Sequence, residues 1–556
     1  MRIDRVYIDG FRNLKEVEAD FDEGCLTTVI IGQNGAGKSN LIEAITEIFR
    51  HVDQPSSRSI GKLRFSFEIE YVIRGRNVRI SNRDGSTKVI VDGDPMPMSR
   101  FQADKAALFP DLIFGYYSGT GRRLEKLFDD HQARYYNVIN KDDGDYDAAR
   151  TARRMFYCRP VHGVFALLSH FAKPGGKSES SHLLREKLGI TGFHSALAHF
   201  KQPSWFDLSR WKRLRLDEVF ASGKMKRTFI EEHRSSEVVS EPLDLWGARG
   251  PAGDCARVLL ASSFHPMALT GKVIDDYRDK PRNESQLACF IRDMPALQKF
   301  ASNYDTDREM FAALEAADIS DLFREMLVWV TRVDNVSGDV SFSDLSDGER
   351  QLLMVLGLIR VSRGKEALFL LDEPDTHLNP AWQLSYLELI KEWTEVAADK
   401  DRCQIIMTSH NPLTIASLTK KEVRVMQNGG EEGIQVAEPY ADPRGMGFTA
   451  TLTEIFGLPT TLDLATQRQI DDRNALARIE ERSEAQEKQL IAINDTLNRL
   501  GFMNESREPL YHEFLKAWQD VRYADRPPLT PEAIEKRHQA MVDLIKQLSA
   551  KSGPKH

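Results

Sequence analysis

The chain has 556 residues, 41% hydrophobic and 28% charged, an ordinary globular balance with material for roughly two to four folding units. A net charge of -8, from 75 basic and 83 acidic residues, excludes a uniformly basic nucleic-acid coat but not a local basic patch. No apolar run is long enough to span a bilayer, the N-terminus has no apolar leader segment, and Cys25, Cys158, Cys255, Cys289 and Cys403 form no CxxC pair, which points to free thiols in a reducing cytoplasm and away from structural zinc.

Residues 2–21, "RIDRVYIDGFRNLKEVEADF", alternate apolar and polar around a turn and read as a β-hairpin. "LTTVIIG" is a β-rich run ending in glycine, and Leu41, Ile42, Ile45, Ile48 and Phe49 then recur at helical spacing, so residues 26–52 predict strand, glycine loop, helix. Alternation over 63–94, broken at "RGRN" and "NRDGS", predicts an antiparallel meander, and 111–119 a buried strand. Residues 119–340 read as an inserted, mainly helical lobe with loops at "KPGGKSESS" and "WGARGPAGD". "ALFLLDEPD" (367–375) and "CQIIMTSHNP" (403–412) have the apolar runs of central parallel strands, with active groups at their ends. "EVRVMQNG" and "GIQVAEP" follow as edge strands. The tail predicts a helix whose Leu476, Ile479, Leu490, Ile493, Leu497 and Leu500 keep a heptad register, weakened at Ser483 and Gln486 and ended by Gly501. A second helix starts with Thr530 as cap and Pro531 in its first turn. The expected class is α/β: a head formed by 1–118 and 341–460, with an antiparallel β subdomain, an insert at 119–340 and a helical tail at 461–556.

Gly32 to Ser39, "GQNGAGKS", fits G-x-x-x-x-G-K-[ST] between a strand and a helix. Gly32, Asn34, Gly35, Gly37 and Asn40 would wrap ATP phosphates with backbone N–H groups, Lys38 would reach the terminal phosphates, and Ser39 would ligate Mg²⁺. After five apolar residues, Asp372 would complete the Mg²⁺ shell and Glu373 would polarise the attacking water. His410, just past the next apolar strand, is placed to sense the γ-phosphate.

With those residues in order, "LSDGERQ" (345–351), "ALFLLDEPDTHLNP" and "TSHNP" resemble the ABC-type ATPases, closest to the branch of RecF, SMC-like and overcoming-lysogenization-defect-like heads; "IDGFRNLKEVEADF" is similar to that branch's opening hairpin. The resemblance implies a P-loop ABC-type head that dimerises around two ATP molecules. Ser346 and Gly348 would contact the γ-phosphate bound by a partner head, Asp375 would couple the two sites, and Arg12 and Asn13 would lie near the nucleotide. A helix N-terminus such as the one after Ser346 binds an anion from either chain. Asp347 and Glu349 stand where glycine and glutamine are common, and Asn379 replaces a histidine frequent in the branch. The family's glutamine after the second core strand has no counterpart in "YYSGTGRR"; Gln102 is the candidate.

Three uses of the ATP follow. The chain resembles the Septu-type and retron-associated defence ATPases through "YYSGTGRRLEKLF", "LSDGERQLL" and "FGLPTTLDL", and that group implies a separate effector, often an HNH-type nuclease. The alternative is a RecF-like clamp on DNA, for which "SRWKRLRLD" (209–217) and "GKMKRTF" (223–229) offer basic clusters beside Trp211 and Phe229. A self-contained nuclease like the overcoming-lysogenization-defect proteins ranks last, because no acidic metal-binding strand pair follows residue 440; a zinc nuclease is set aside too, because Cys158 and His162 lack a second ligand pair. The first reading is the one carried forward.

Overall fold

The structure is a computed structural model; it describes residues 1–54, 63–141, 144–172, 179–206, 242–396, 402–429, 433–500, 539, 540, 543 and 546, apart from positions 275, 279, 336, 339, 363, 459 and 480. Both basic clusters, the stretch 173–178, Gly501 and the helix expected from Thr530 lie outside the described residues. The chain divides into two compact units, Met1–Glu438 and Pro439–His556, so residues 439–460 group with the tail and not with the head.

The first unit opens with β1 (Arg2–Asp9), β2 (Val17–Asp20), β3 (Thr27–Gly32) and the helix α1 (Lys38–Asp53). The expected meander follows as β4 (Ser66–Ile73), β5 (Arg76–Ser81), β6 (Lys88–Val91) and β7 (Asp94–Met96). It joins the hairpin in one six-stranded sheet of order β2-β1-β4-β5-β6-β7, antiparallel throughout. β8 (Leu112–Tyr117) then leads into the insert, which holds β9 (Met155–Tyr157), β10 (Ile190–Lys201), β11 (Phe264–Val273), β12 (Arg282–Ile291), β13 (Phe323–Arg332) and β14 (Val340–Ser341). Past the insert come β15 (Ala367–Asp372), β16 (Cys403–Thr408), β17 (Val423–Asn428) and β18 (Ile434–Ala437).

The second sheet has the order β18-β17-β3-β16-β15-β8-β9, parallel except for the antiparallel edge strand β18. β3, β15 and β16 are buried at every position, as the uninterrupted apolar runs require of strands covered on both faces. β17 lies between β3 and β18, so of the two strands expected at the edge only β18 is there. Leu41, Ile45, Ile48 and Phe49 of α1 share one apolar core with Ile69 and Tyr71 of the meander and Leu368, Leu370 and Ile406 of the parallel sheet. The helix behind the glycine loop is thereby clamped between the two sheets.

The insert corrects the expectation of a mainly helical lobe. Helices such as Pro160–Ala172 and Asp307–Ile319 alternate with a five-stranded antiparallel sheet of order β11-β12-β10-β13-β14. The insert is also not separate from the head, because β9 adds the last strand to the parallel sheet. Its helix Pro160–Ala172 packs on the helix Asp347–Val361 that follows the signature, and the contact is close: a Cβ on Gly357 would stand 2.1 Å from Ala166 Cβ.

In the second unit the tail is a pair of helices, Leu464–Ala477 and Glu484–Arg499, that pack on each other. The continuous heptad helix is corrected at Ser483, whose side chain caps the second helix while Gln486 reaches back to its N–H. The two weak heptad positions form a capping box, which starts a helix and does not continue one. Among the described helices of the chain, none is long and apolar enough to cross a membrane.

The Gly357 contact sets a stability test. Gly357→Leu should destabilise the first unit by about 1–3 kcal/mol through overpacking. Adding Ala166→Gly should recover part of that loss. Thermal melts of the two variants followed by circular dichroism check both.

Candidate functional site

In register, Ile30 of β3 faces Thr408 of β16, and Asp372 of β15 faces both Thr408 and Tyr117 of β8. Parallel pairing therefore brings together strand ends that are hundreds of residues apart in the chain.

Gly32, Gly35 and Gly37 have φ of 152°, 82° and 101°, values that glycine adopts without a side-chain clash. At Gly37 a Cβ would also press on Leu14 Cδ2 at 3.0 Å and on the Asn13 side chain at 3.1 Å. The loop thus winds tightly, with Asn34 exposed on it. The Lys38 ammonium folds back onto the loop and donates to the carbonyls of Gly32 (2.9 Å) and Gln33 (3.2 Å). Burial lowers its pKa, while Glu373 and Asp372 oppose that shift. A buried cation whose hydrogen bonds, among the described residues, go to carbonyls is suited to receive an anion.

Ser39 donates to Asp372 Oδ1 at 3.0 Å and Thr408 donates to the same oxygen at 2.5 Å. Burial raises the Asp372 carboxyl above the ordinary aspartate value, against those two hydrogen bonds, and neighbouring Glu373 adds to the rise. A hydroxyl and a carboxylate converging beside a phosphate loop fit Mg²⁺, which takes few protein oxygens and completes its shell with phosphates and water. Ser39 and Asp372 are the residues that would hold it.

Glu373 has φ of 53°, a strained value for a side chain of its size, and its N–H donates to Thr408 Oγ1 at 3.0 Å. His410 Nδ1 lies 3.4 Å from the Glu373 Oε1. Arg12, at φ 56°, and Asn13 sit on the turn between β1 and β2. Asn13 donates to the Gly35 carbonyl (3.1 Å) and accepts from Asn40 (2.6 Å), and Arg12 donates to Asn40 Oδ1 (2.9 Å). These expected residues all assemble at one place.

Asp375, expected to couple two sites, has a buried side chain that accepts from Ser409 (2.6 Å) and from Thr414 in the same chain. It fastens the segment after β15 to the loop that carries His410, within one chain. Gln102 corrects the other expectation: it donates to the carbonyl of Val52, at the end of α1 opposite the glycine loop. The end of β8 instead offers Ser118, whose N–H donates to the Asp372 carbonyl at 3.2 Å.

Ser346 is exposed just ahead of the helix Asp347–Val361. The Glu349 N–H donates to its oxygen at 3.2 Å, and the Ser346 N–H and hydroxyl donate to the Glu349 carboxylate at 2.8 and 2.9 Å. The departure from glutamine at 349 thus forms a capping box. Gly348 has no room for a side chain, since a Cβ would lie 2.8 Å from the His377 carbonyl. Gln351 donates to the Pro374 carbonyl, a second tie between the signature helix and the segment after Glu373. Sequence reasoning missed Thr408, Gln351, Glu43 and Arg123 as members of this region; the paired arginines of "GTGRR" were a visible signal for the last.

Residues 1–96 match a family described as "AAA ATPase domain", and residues 278–416 one described as "AAA domain, putative AbiEii toxin, Type IV TA system". The Septu protein PtuA of Bacillus mycoides (strain KBAB4) is 28% identical over 127 residues, 21% of this chain and 17% of that protein. The DNA replication and repair protein RecF of Mannheimia succiniciproducens is 29% identical over 108 residues, 17% of this chain and 28% of that protein. RecF of Lactobacillus acidophilus is 28% identical over 156 residues, 25% of this chain and 40% of that protein. The matched stretches therefore span less than half the length of these relatives. A solved SMC head bound to a winged-helix domain of ScpA superposes with a TM-score of 0.31 at 13% identity, covering 79% of this chain and 97% of that one, too loosely to bear on the argument.

The raised pKa of Asp372 gives a signed prediction. Its ionised form costs folding stability once the pH exceeds the ordinary value of 3.8, and that cost vanishes below it. Ligand-free Asp372→Asn should therefore melt at or above the wild-type temperature at neutral pH, with the difference shrinking toward pH 4. The same variant should lose the Mg²⁺-dependent rise in melting temperature that ATP gives the wild type. Differential scanning fluorimetry across pH, with and without ATP and Mg²⁺, reads both effects.

Proposed function

We propose that this chain, an ABC-type, RecF-like ATPase that resembles Septu PtuA, binds and hydrolyses ATP between two copies of its head, and that this pairing controls a partner effector in anti-phage defence. The observation that carries the reading is the convergence of Lys38, Ser39, Asp372, Glu373 and His410 on the adjacent ends of β3, β15 and β16. Lys38 and the loop amides would hold the phosphates of ATP. Mg²⁺, held by Ser39 and Asp372, would offset charge on the phosphates. Glu373 would orient the attacking water and take up its proton, with His410 keeping that carboxylate in place and reporting on the γ-phosphate.

The exposed Ser346 and the crowded Gly348 form the surface a second copy would bring to that site. A phosphate arriving there takes over the N–H and hydroxyl that Glu349 holds in the free chain. The likeness to PtuA supports a defence role with a separate effector, an HNH-type nuclease being the expected class. The RecF matches favour a second reading, a clamp on DNA, in which the same head pairing encloses a duplex.

Glu373→Gln should lower turnover by about 10²–10⁴-fold while ATP still binds, holding the heads together. Ser346→Arg should leave ATP binding by one chain intact and abolish nucleotide-driven association, seen by light scattering. Mass spectrometry of Glu373→Gln purified with ATP and Mg²⁺ from its native gene context separates the two roles. A stoichiometric second protein supports the effector reading, and nucleic acid alone supports the clamp.

A further inference from the structure

Between β8 and the body of the insert, residues 122–131 run along α1 from its first turn to its last. At the near end Arg123 Nη2 donates to Asn40 Oδ1 at 2.9 Å and pairs with Glu43 Oε1 at 2.8 Å. Leu124 and Phe128 are buried in the core shared with α1. At the far end Asp130 pairs with Arg50, and His131 Nε2 meets Asp53 Oδ2 at 2.8 Å. The segment is a strap fastened at four positions of the helix that begins at the phosphate loop.

Arg123 shares both of its acceptors with Arg12. Arg12 Nη1 reaches the same Asn40 Oδ1 at 2.9 Å, and its Nη2 pairs with the other oxygen of Glu43 at 2.5 Å. Glu43 is 6% exposed, whereas Arg12 and Arg123 are 40% and 58% exposed. Two guanidiniums thus face one buried carboxylate and leave a net positive charge on the solvent side. Asn40 ties them to the loop through Asn13 and the Gly35 carbonyl. As a purely structural pair the arrangement gains little, because a half-exposed ion pair adds little stability and the two cations repel. It is well suited to a polyanion, for which the planar fork of arginine makes charge-assisted hydrogen bonds.

We propose that Arg123 is a second arginine of the nucleotide site, binding the polyphosphate of a nucleoside triphosphate and transmitting its occupancy along the strap into the insert. The inference rests on the reading of Gly32–Ser39 as a nucleotide site. Glu43 is the positioning residue: it holds both guanidiniums at the mouth of the loop until a phosphate replaces it.

The test is a calorimetric titration of the full chain with a non-hydrolysable ATP analogue and Mg²⁺, comparing wild type, Arg123→Ala, Arg123→Lys and Lys38→Ala. Arg123→Ala should weaken binding about ten-fold, with part of the loss restored by lysine and the difference reduced at high salt. Hydrogen exchange should show the analogue protecting residues 122–131 in the wild type and not in Arg123→Ala. If the wild type binds, Lys38→Ala does not, and Arg123→Ala matches the wild type in affinity and exchange, Arg123 is a surface pair and the inference is overturned. If the wild type itself does not bind, the phosphate-loop reading fails and the inference falls with it.

Discussion

Asp372 carries a carboxylate to a place water barely reaches, and two hydroxyls from elsewhere in the chain meet it there: Ser39 from the first turn of α1 and Thr408 from the end of β16. Burial alone would drive this group toward its neutral form. The hydrogen bonds and the nearby Lys38 oppose that, and a divalent cation would complete the compensation. The same Thr408 oxygen accepts the N–H of Glu373 and so holds the strained turn at that residue. Asp372 and Glu373 are therefore positioned by one shared hydroxyl, that of Thr408, which depends on β15 and β16 staying in register.

Around that centre the chain builds a connected set of loops. Asp375 binds the loop of His410 through Ser409 and Thr414, and Gln351 binds the Pro374 carbonyl from the signature helix. Arg332, the last residue of β13, meets Glu349 of the signature cap at 3.2 Å. Residues 345–351, the segment after Glu373 and the loop of His410 are thus joined within one chain. The signature segment is also tied to the insert through Arg332, and α1 is tied to it through the segment 122–131.

Much of the site was legible because its chemistry sits in short motifs whose neighbours are strands and helices of the right period. "GQNGAGKS", "FLLDEP" and "TSHNP" place their polar groups at the ends of apolar runs, and parallel pairing does the rest. The direction of Asp375 was not legible, since an aspartate in a loop can turn in or out and only Ser409 and Thr414 decide it. The insert's sheet was hidden because β10, β12 and β13 are far apart in sequence and separated by helices, so their alternation was read piecemeal. The Glu43, Arg12 and Arg123 cluster needs three segments folded together before its excess charge can be seen.

If each nucleotide site takes its loop from one copy and its signature from another, two inactive variants should complement each other when mixed. Lys38→Ala has a dead loop and an intact signature, and Ser346→Arg has the reverse. In a mixed dimer one composite site regains both halves, so the mixture should hydrolyse ATP although neither protein does so alone. A mixture as inactive as its components, with mixed dimers demonstrably present, would contradict it.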